Sequence, residues 1–382
     1  MKLKKQKQMS HQAVEPKQVI YWDYLNLDRL LNLQGGLEGD EEKLSEDEMH
    51  FIIVHQVFEL WFKQITRELY LARDKMAAPR VDEDKIPFVV HHIKRVNIIL
   101  ALAAKHFDVM ETLTPQDFLV FRSKLGTASG FQSFQMREIE LLLGLELTER
   151  KAYHHVDPVE VLLKAAEKTA MAQDIITAIK KAKKRPSVRD AVHAWLYRTP
   201  IQGSSPGKPG DEKIVQGFLQ EYLAAVKGQN ERQIKQLLDN GDGSNETVIR
   251  QRFASTTRQM EQFLFAEDVE KKEQSRVKRI RAGVLFIESY RDLPLLSWPR
   301  LLLDTIVEME ELFTTFRFRH ARMVERIIGR RVGTGGSSGV DYLDTTTKYR
   351  VFKELWAVRT LLLPKEALPK LQKPEMYGYK LV

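Results

Sequence analysis

The stretch Phe51-Ile52-Ile53-Val54-His55-Gln56-Val57-Phe58-Glu59-Leu60-Trp61-Phe62-Lys63 decides the fold class. Its apolar residues do not alternate, as a half-buried strand requires. They step by four and three through Phe51, His55, Phe58, Phe62, Ile65, Leu69 and Ala72. That spacing keeps side chains on one face of an α-helix, so the first long helix is expected over about 47–76. The same stepping returns in Val89, Ile93, Val96, Leu100, Ala103 and Phe107. It places a second long helix over about 82–110, with Pro87 tolerated near its start. A third long helix, about 300–329, carries the seam Ile306, Met309, Phe313, Phe316, His320, Met323, Ile327. No period-2 alternation persists anywhere. The fold class is therefore all-α, a helical bundle.

Shorter elements are marked by their start signals. Tyr21-Trp22-Asp23-Tyr24-Leu25-Asn26-Leu27 opens a short helical pattern, and residues 35–46 read as a Gly- and acid-rich loop. Thr114-Pro115-Gln116-Asp117 combines a capping hydroxyl, a first-turn proline and a carboxylate that can complete a capping box. That helix is expected to end near Gly126. Ser129 can cap the next, which runs to about Gly144, and Asp157-Pro158-Val159-Glu160 repeats the start signal. Residues 201–211 read as a loop or linker, and Asn240-Gly241-Asp242-Gly243-Ser244 as a second break. These define a helical insertion at about 200–280 inside a domain spanning 19–364. A mobile basic tail, 1–18, precedes it. One further helix is expected over about 345–362, before a C-terminal tail over 365–382.

The chain has 382 residues, 43% of them apolar, enough for a large core. It has no cysteine, which excludes disulfides, thiolate-ligated haem, cysteine-held iron–sulfur clusters and cysteine zinc sites. The net charge is +8, and four lysines lie within Met1 to Lys7. Elsewhere basic and acidic residues share the same helices, which reads as a solvated surface and not a nucleic-acid footprint. No apolar run follows Lys2 to Lys7, as a secretory signal needs. No stretch approaches the roughly 20 apolar residues of a membrane span. The expectation is a cytoplasmic protein with neither nucleic acid nor membrane as partner.

Chemistry is suggested by polar groups on apolar faces. His55 and His320 sit on seams, where an imidazole is costly unless its nitrogens find partners. One reading is a pair of core histidines bonded to carbonyls. The other is a planar metal cofactor with one histidine on each side. Glu59 does not make His55 part of an HExxH zinc motif. Arg317 and Arg319 flank His320 and could reach acidic groups at a cofactor's edge. Phe118 and Arg122 are four apart and share a face. Arg122 either snorkels to the surface or presents a fork to a carboxylate. Gly333-Thr334-Gly335-Gly336-Ser337-Ser338-Gly339 is no Walker A loop. It is either flexible filler or a lid closing over a polar group. His91, His92, His154 and His155 come as adjacent pairs on different helical sides and read as surface or structural.

In order and spacing these pieces resemble the tryptophan 2,3-dioxygenase family. The resemblance rests on Phe51 through Lys63, and on Phe121-Arg122 followed by Ala128-Ser129-Gly130-Phe131-Gln132-Ser133. It rests also on His320 followed by the Gly333–Gly339 loop, and it covers most of the chain from Tyr21 to about Pro364. It implies a tryptophan/indoleamine dioxygenase-like helical fold with haem b bound between long helices, in a homotetramer. By that resemblance His320 is the proximal iron ligand and His55, on the distal side, hydrogen-bonds the indole N–H. Phe51, Ile52, Ile53, Val54 and Phe118 line the indole side. Arg122 pairs with the substrate carboxylate, and Thr334 holds the amino-acid end as its loop closes. Ser129 and Gly130 lie near the haem, while Tyr21, Tyr24 and Leu25 complete a neighbouring subunit's pocket. The implied partners are L-tryptophan and O₂, and the implied product is N-formylkynurenine. Phe316 stands where relatives often carry Trp, and Phe318 and Arg319 where some carry Tyr and Asn. Two alternatives stay open: a relative oxidising a modified indole or inserting one oxygen atom, and a non-catalytic haem sensor. Arg122 and Thr334 argue against the sensor, which needs no amino-acid clamp.

Overall fold

The structure, a computed structural model, describes residues 19–82, 84–145, 157–167, 169–240, 245–331 and 339–378. In chain order the helices are α1 Tyr21–Leu25, α2 Leu27–Leu30, α3 Glu46–Met76, α4 Lys85–Met110 and α5 Pro115–Phe121. There follow α6 Phe134–Leu143, α7 Pro158–Ala166, α8 Ala172–Lys184, α9 Val188–Tyr197 and α10 Asp211–Asp239. The last five are α11 Glu246–Leu264, α12 Lys271–Ser289, α13 Ser297–Ile328, α14 Val340–Thr346 and α15 Lys353–Arg359. Among the described residues there is no β-strand, only an isolated bridge between Ile201 and Ser204. The all-α class expected from the spacing is the one observed.

The chain divides into two compact units, 1–53 and 54–382. The first holds α1, α2, a 3₁₀ turn at Glu41–Lys43 and the opening of α3. Ser45 caps α3 by accepting from the Glu48 N–H at 3.2 Å. The apolar side chains of α1 face outward: Tyr21 is 70% exposed, Tyr24 76% and Leu25 42%.

In the second unit the seams are buried where spacing puts them. Phe58, Phe62, Ile65, Leu69 and Ala72 of α3 are core residues, as are Val89, Ile93, Val96, Leu100, Ala103 and Phe107 of α4. So are Ile306, Met309, Phe313, Phe316, Met323 and Ile327 of α13. Each large apolar side chain so buried contributes about 1.5–3 kcal/mol. α4 lies against α13, and Asn97 fastens them, donating to the Thr305 carbonyl at 3.1 Å and to Glu308 at 2.8 Å. α4 is also the one described helix long and apolar enough to cross a membrane by length and composition; just over half of that window is buried in the core. On α12 the residues Arg279 to Glu288 are all buried. Gly283 makes this possible, since a Cβ there would sit 2.7 Å from the Leu196 carbonyl oxygen of α9.

Three expectations are corrected. Ser129 caps only the 3₁₀ turn Gly130–Gln132, and Ser133 is the cap of α6. The turn closes a local box, with Gln132 reaching the Ser129 N–H, and the α-helix begins only after it. The helix expected over about 345–362 shrinks to α15, Lys353–Arg359; α14 begins earlier and ends at Thr346, and the chain between them is not α-helical. The buried Glu310 of α13 takes the N–H groups of Val351 and Phe352 and the Trp356 indole N–H, so the backbone leaves the helix to supply them. Residues 201–211 are not a plain linker. Ile201, Gln202 and Ser204 are buried, and the turn holds the chain end: Tyr377 donates to the Pro200 carbonyl at 3.0 Å and accepts from the Gly203 N–H at 2.9 Å.

Candidate functional site

α3, α4 and α13 meet at a cluster of rings. Phe316 of α13 lies 5.9 Å from Phe58, 5.8 Å from Phe62 and 5.2 Å from Phe107, and Phe58 lies 4.8 Å from Phe107. All four are buried. Such edge-on and tilted pairs each contribute about 0.5–1.5 kcal/mol beyond their area.

His320 stands one turn beyond Phe316. Its ring is parallel to Phe107, at 5.6 Å and 7°. Among the described residues none hydrogen-bonds its ring nitrogens. Part of the residue remains accessible, yet burial pushes the imidazole down to about 4, and the charges of His55 and Arg137 act the same way. His320 is therefore neutral at ordinary pH, the form that ligates a metal. His55 is likewise half-buried, and its effect on His320 places the two histidines within electrostatic reach of each other. The seams open only partly at these two imidazoles while the phenylalanines beside them are sealed.

The arginines flanking His320 are matched by protein acids. Arg317 is buried and reaches Glu140 of α6 at 3.3 Å, and Glu140 also takes Arg137 at 2.7 Å. Arg317 lies over the Phe313 ring at 4.1 Å. Arg319 pairs with Asp108 at 2.6 Å and Glu111 at 3.1 Å. Sequence reasoning passed over Arg137 and Glu140. Their signal was an Arg–Glu pair at spacing three on the short, largely apolar helix α6.

The other expected residues are placed as follows. Thr114 caps α5 by accepting from Asp117, and Pro115 opens it. Phe118 is buried and packs edge-on against Phe121 at 5.4 Å. α5 gives way to a 3₁₀ turn at Arg122, but the Arg122 N–H still donates to the Phe118 carbonyl, so the two remain one turn apart. Arg122 is half-buried. Gly130 has open space where a Cβ would be. Ile53 is exposed and Val54 buried, as consecutive residues of a helix can be, about 100° apart. Phe51, Ile52 and Ile53 belong to the first unit, as do Tyr21, Tyr24 and Leu25. Thr334 and the rest of the glycine-serine loop up to Ser338 lie outside the described residues, as do His154 and His155. His92 is structural: it bonds the buried Glu68, which also takes Arg95 at 2.9 Å.

A single imidazole fits a metal macrocycle, which brings its own in-plane donors. Among the described residues no group of three or more His, Asp or Glu side chains could hold a metal alone.

Comparison with known proteins bears on nearly the whole chain. A family profile described as Tryptophan 2,3-dioxygenase matches residues 5–362. The chain is 43% identical over 373 residues to a tryptophan 2,3-dioxygenase of Sorangium cellulosum, covering 95% of this chain and 88% of the relative. It is 44% identical over 368 residues to "Tryptophan 2,3-dioxygenase 2" of Ralstonia nicotianae, covering 95% and 98%. A tryptophan 2,3-dioxygenase of Bdellovibrio bacteriovorus is 35% identical over 369 residues, covering 93% and 96%.

Proposed function

The chain belongs to the tryptophan 2,3-dioxygenase family, and from that premise we propose that it is a haem-dependent dioxygenase acting on L-tryptophan. It inserts both atoms of O₂ across the indole C2–C3 bond, giving N-formylkynurenine. The observation that carries the reading is His320: neutral, without a hydrogen-bonding partner among the described residues, and within electrostatic reach of His55.

His320 would hold haem b, and the haem would supply the oxygen chemistry when bound; the protein supplies binding, orientation and a dry pocket. His55 accepts a hydrogen bond from the indole N–H and fixes the ring's orientation. It is an orienting group more than an obligatory base, so its loss costs less than loss of His320. By the family resemblance Phe51 and Phe118 border the indole, and Ile52, Ile53 and Val54, which follow Phe51 along α3, belong to the substrate side. Arg122 takes the carboxylate in the bidentate geometry a guanidinium favours. Thr334 secures the amino-acid end, and Ser129 and Gly130 border the haem. Tyr21, Tyr24 and Leu25 complete the pocket of a neighbour in a homotetramer, which suits their exposure. The catalytic domain is 19–364, and the cysteine-free chain suits the reducing cytoplasm.

The experiment is haem content together with tryptophan-dependent O₂ uptake. The purified protein should carry about one haem per chain and consume O₂ only when tryptophan is added. His320→Ala should lose most of its haem and keep its helical circular dichroism. Full haem occupancy in that variant, with an unchanged ferrous spectrum, would sink the assignment.

A further inference from the structure

A cavity of about 340 Å³ lies where the 206–210 turn meets the starts of α10 and α12, beside Tyr197 at the end of α9. Small-molecule sites commonly occupy about 300–1,000 Å³. None of its lining residues has a role in the proposed haem and tryptophan site. A buried guanidinium holds its walls together. Arg279 of α12 donates to the Tyr197 carbonyl at 2.8 Å and to the Thr199 carbonyl at 3.0 Å, and it pairs with Asp211, the first residue of α10, at 2.9 Å. Asp211 also accepts from the Ser204 hydroxyl at 2.7 Å. The frame of the cavity is therefore built into the fold. Ser275 and Lys278, one turn apart on α12, line it, and Lys208 lines it from the exposed turn. The Lys278 side chain is only 14% exposed, whereas Glu212, whose carboxylate stands 3.3 Å from its ammonium, is 71% exposed. An anionic oxygen thus already sits on Lys278, brought there by a surface side chain.

We propose that this cavity binds a small metabolite carrying two or more anionic oxygens, a phosphate ester or a polycarboxylate, which Lys278 and Lys208 hold after it displaces the Glu212 carboxylate. An ion pair whose acid lies so far in solvent is weak, so a ligand can replace Glu212 at little cost. Lys278 sits in the wall of a cavity, where a charge-assisted bond is screened less than at the surface. An ammonium is a point charge with three donors, and it takes a phosphate or a carboxylate oxygen without demanding a planar partner. Lys208 adds a second positive charge from the turn, and the Ser275 hydroxyl a neutral donor.

The test is calorimetric titration of the haem-loaded enzyme with pyrophosphate and, separately, with citrate. At least one should bind, and the tighter of the two tells a phosphate ligand from a carboxylate one. Lys278→Gln should weaken that binding by at least about tenfold, the loss of one charge-assisted bond. Lys208→Gln, on the exposed turn where the fold is not at stake, should weaken it in the same direction. Glu212→Gln removes the competing carboxylate and should tighten binding about two- to fivefold. Failure of both anions to bind the parent overturns the proposal, and so does equal affinity in the parent and the two lysine variants. Binding that Glu212→Gln leaves unchanged or weakens overturns the displacement of Glu212.

Discussion

Arg122 shows how much chemistry a single position carries. It sits one turn beyond the buried Phe118, and its own backbone N–H is spent on the Phe118 carbonyl, which fixes where the side chain starts. A charge-assisted bond to a carboxylate in such a place contributes roughly 1.5–3 kcal/mol. Arg122→Leu should therefore lower kcat/KM for tryptophan by at least about tenfold. Tryptamine, which lacks the carboxylate, should be a poor substrate for the parent and change little in the variant. Equal losses for both compounds would mean that Arg122 serves the fold. The spacing of Phe118 and Arg122 was legible in the sequence because one helical turn is a local quantity. The setting of His320 was not. Its stacking partner Phe107 comes from another helix, and the seam pattern marks Phe107 only as core.

At the scale of elements, the break between α14 and α15 depends on Glu310. Its buried carboxylate accepts from two backbone N–H groups and an indole N–H. Glu310→Ala leaves three donors unsatisfied and should cost on the order of 3 kcal/mol. Glu310→Gln keeps one acceptor and should cost less, and thermal melts of both variants measure the difference. A second contact pins α15 to α9: His193 Nε2 lies 3.3 Å from Glu354. Burial alone would raise the Glu354 carboxyl, but the hydrogen bond and charge of His193 outweigh it and hold it at about 2. A carboxyl lowered on folding stabilises fully above its unfolded value of 4.5, and that contribution fades as pH falls from 4.5 toward 2. The loss should be about 3 kcal/mol, read as denaturant midpoints across that range. Glu354→Gln should flatten the acid limb; a limb as steep as the parent's would remove the pair from the account.

For the whole molecule, the exposed apolar face of α1 is the feature a lone chain leaves unexplained. Under the proposed homotetramer it belongs in a neighbour's pocket. Deleting residues 1–25 should then lower activity or dissociate the assembly, measured by sedimentation beside O₂ uptake. A fully active monomer would refute the shared pocket. The sequence by itself determined the all-α class, the faces of α3, α4 and α13, and the starts of α5 and α7. These follow from spacings and caps within one or two turns. The fold alone decided that residues 201–211 clamp Tyr377, that the helix expected over 345–362 is confined to α15, and that Phe107 stacks on His320. Local periodicity says which side of a helix is apolar. Which other helix meets that side, and which buried polar group collects a distant backbone N–H, depends on how the packed elements satisfy one another.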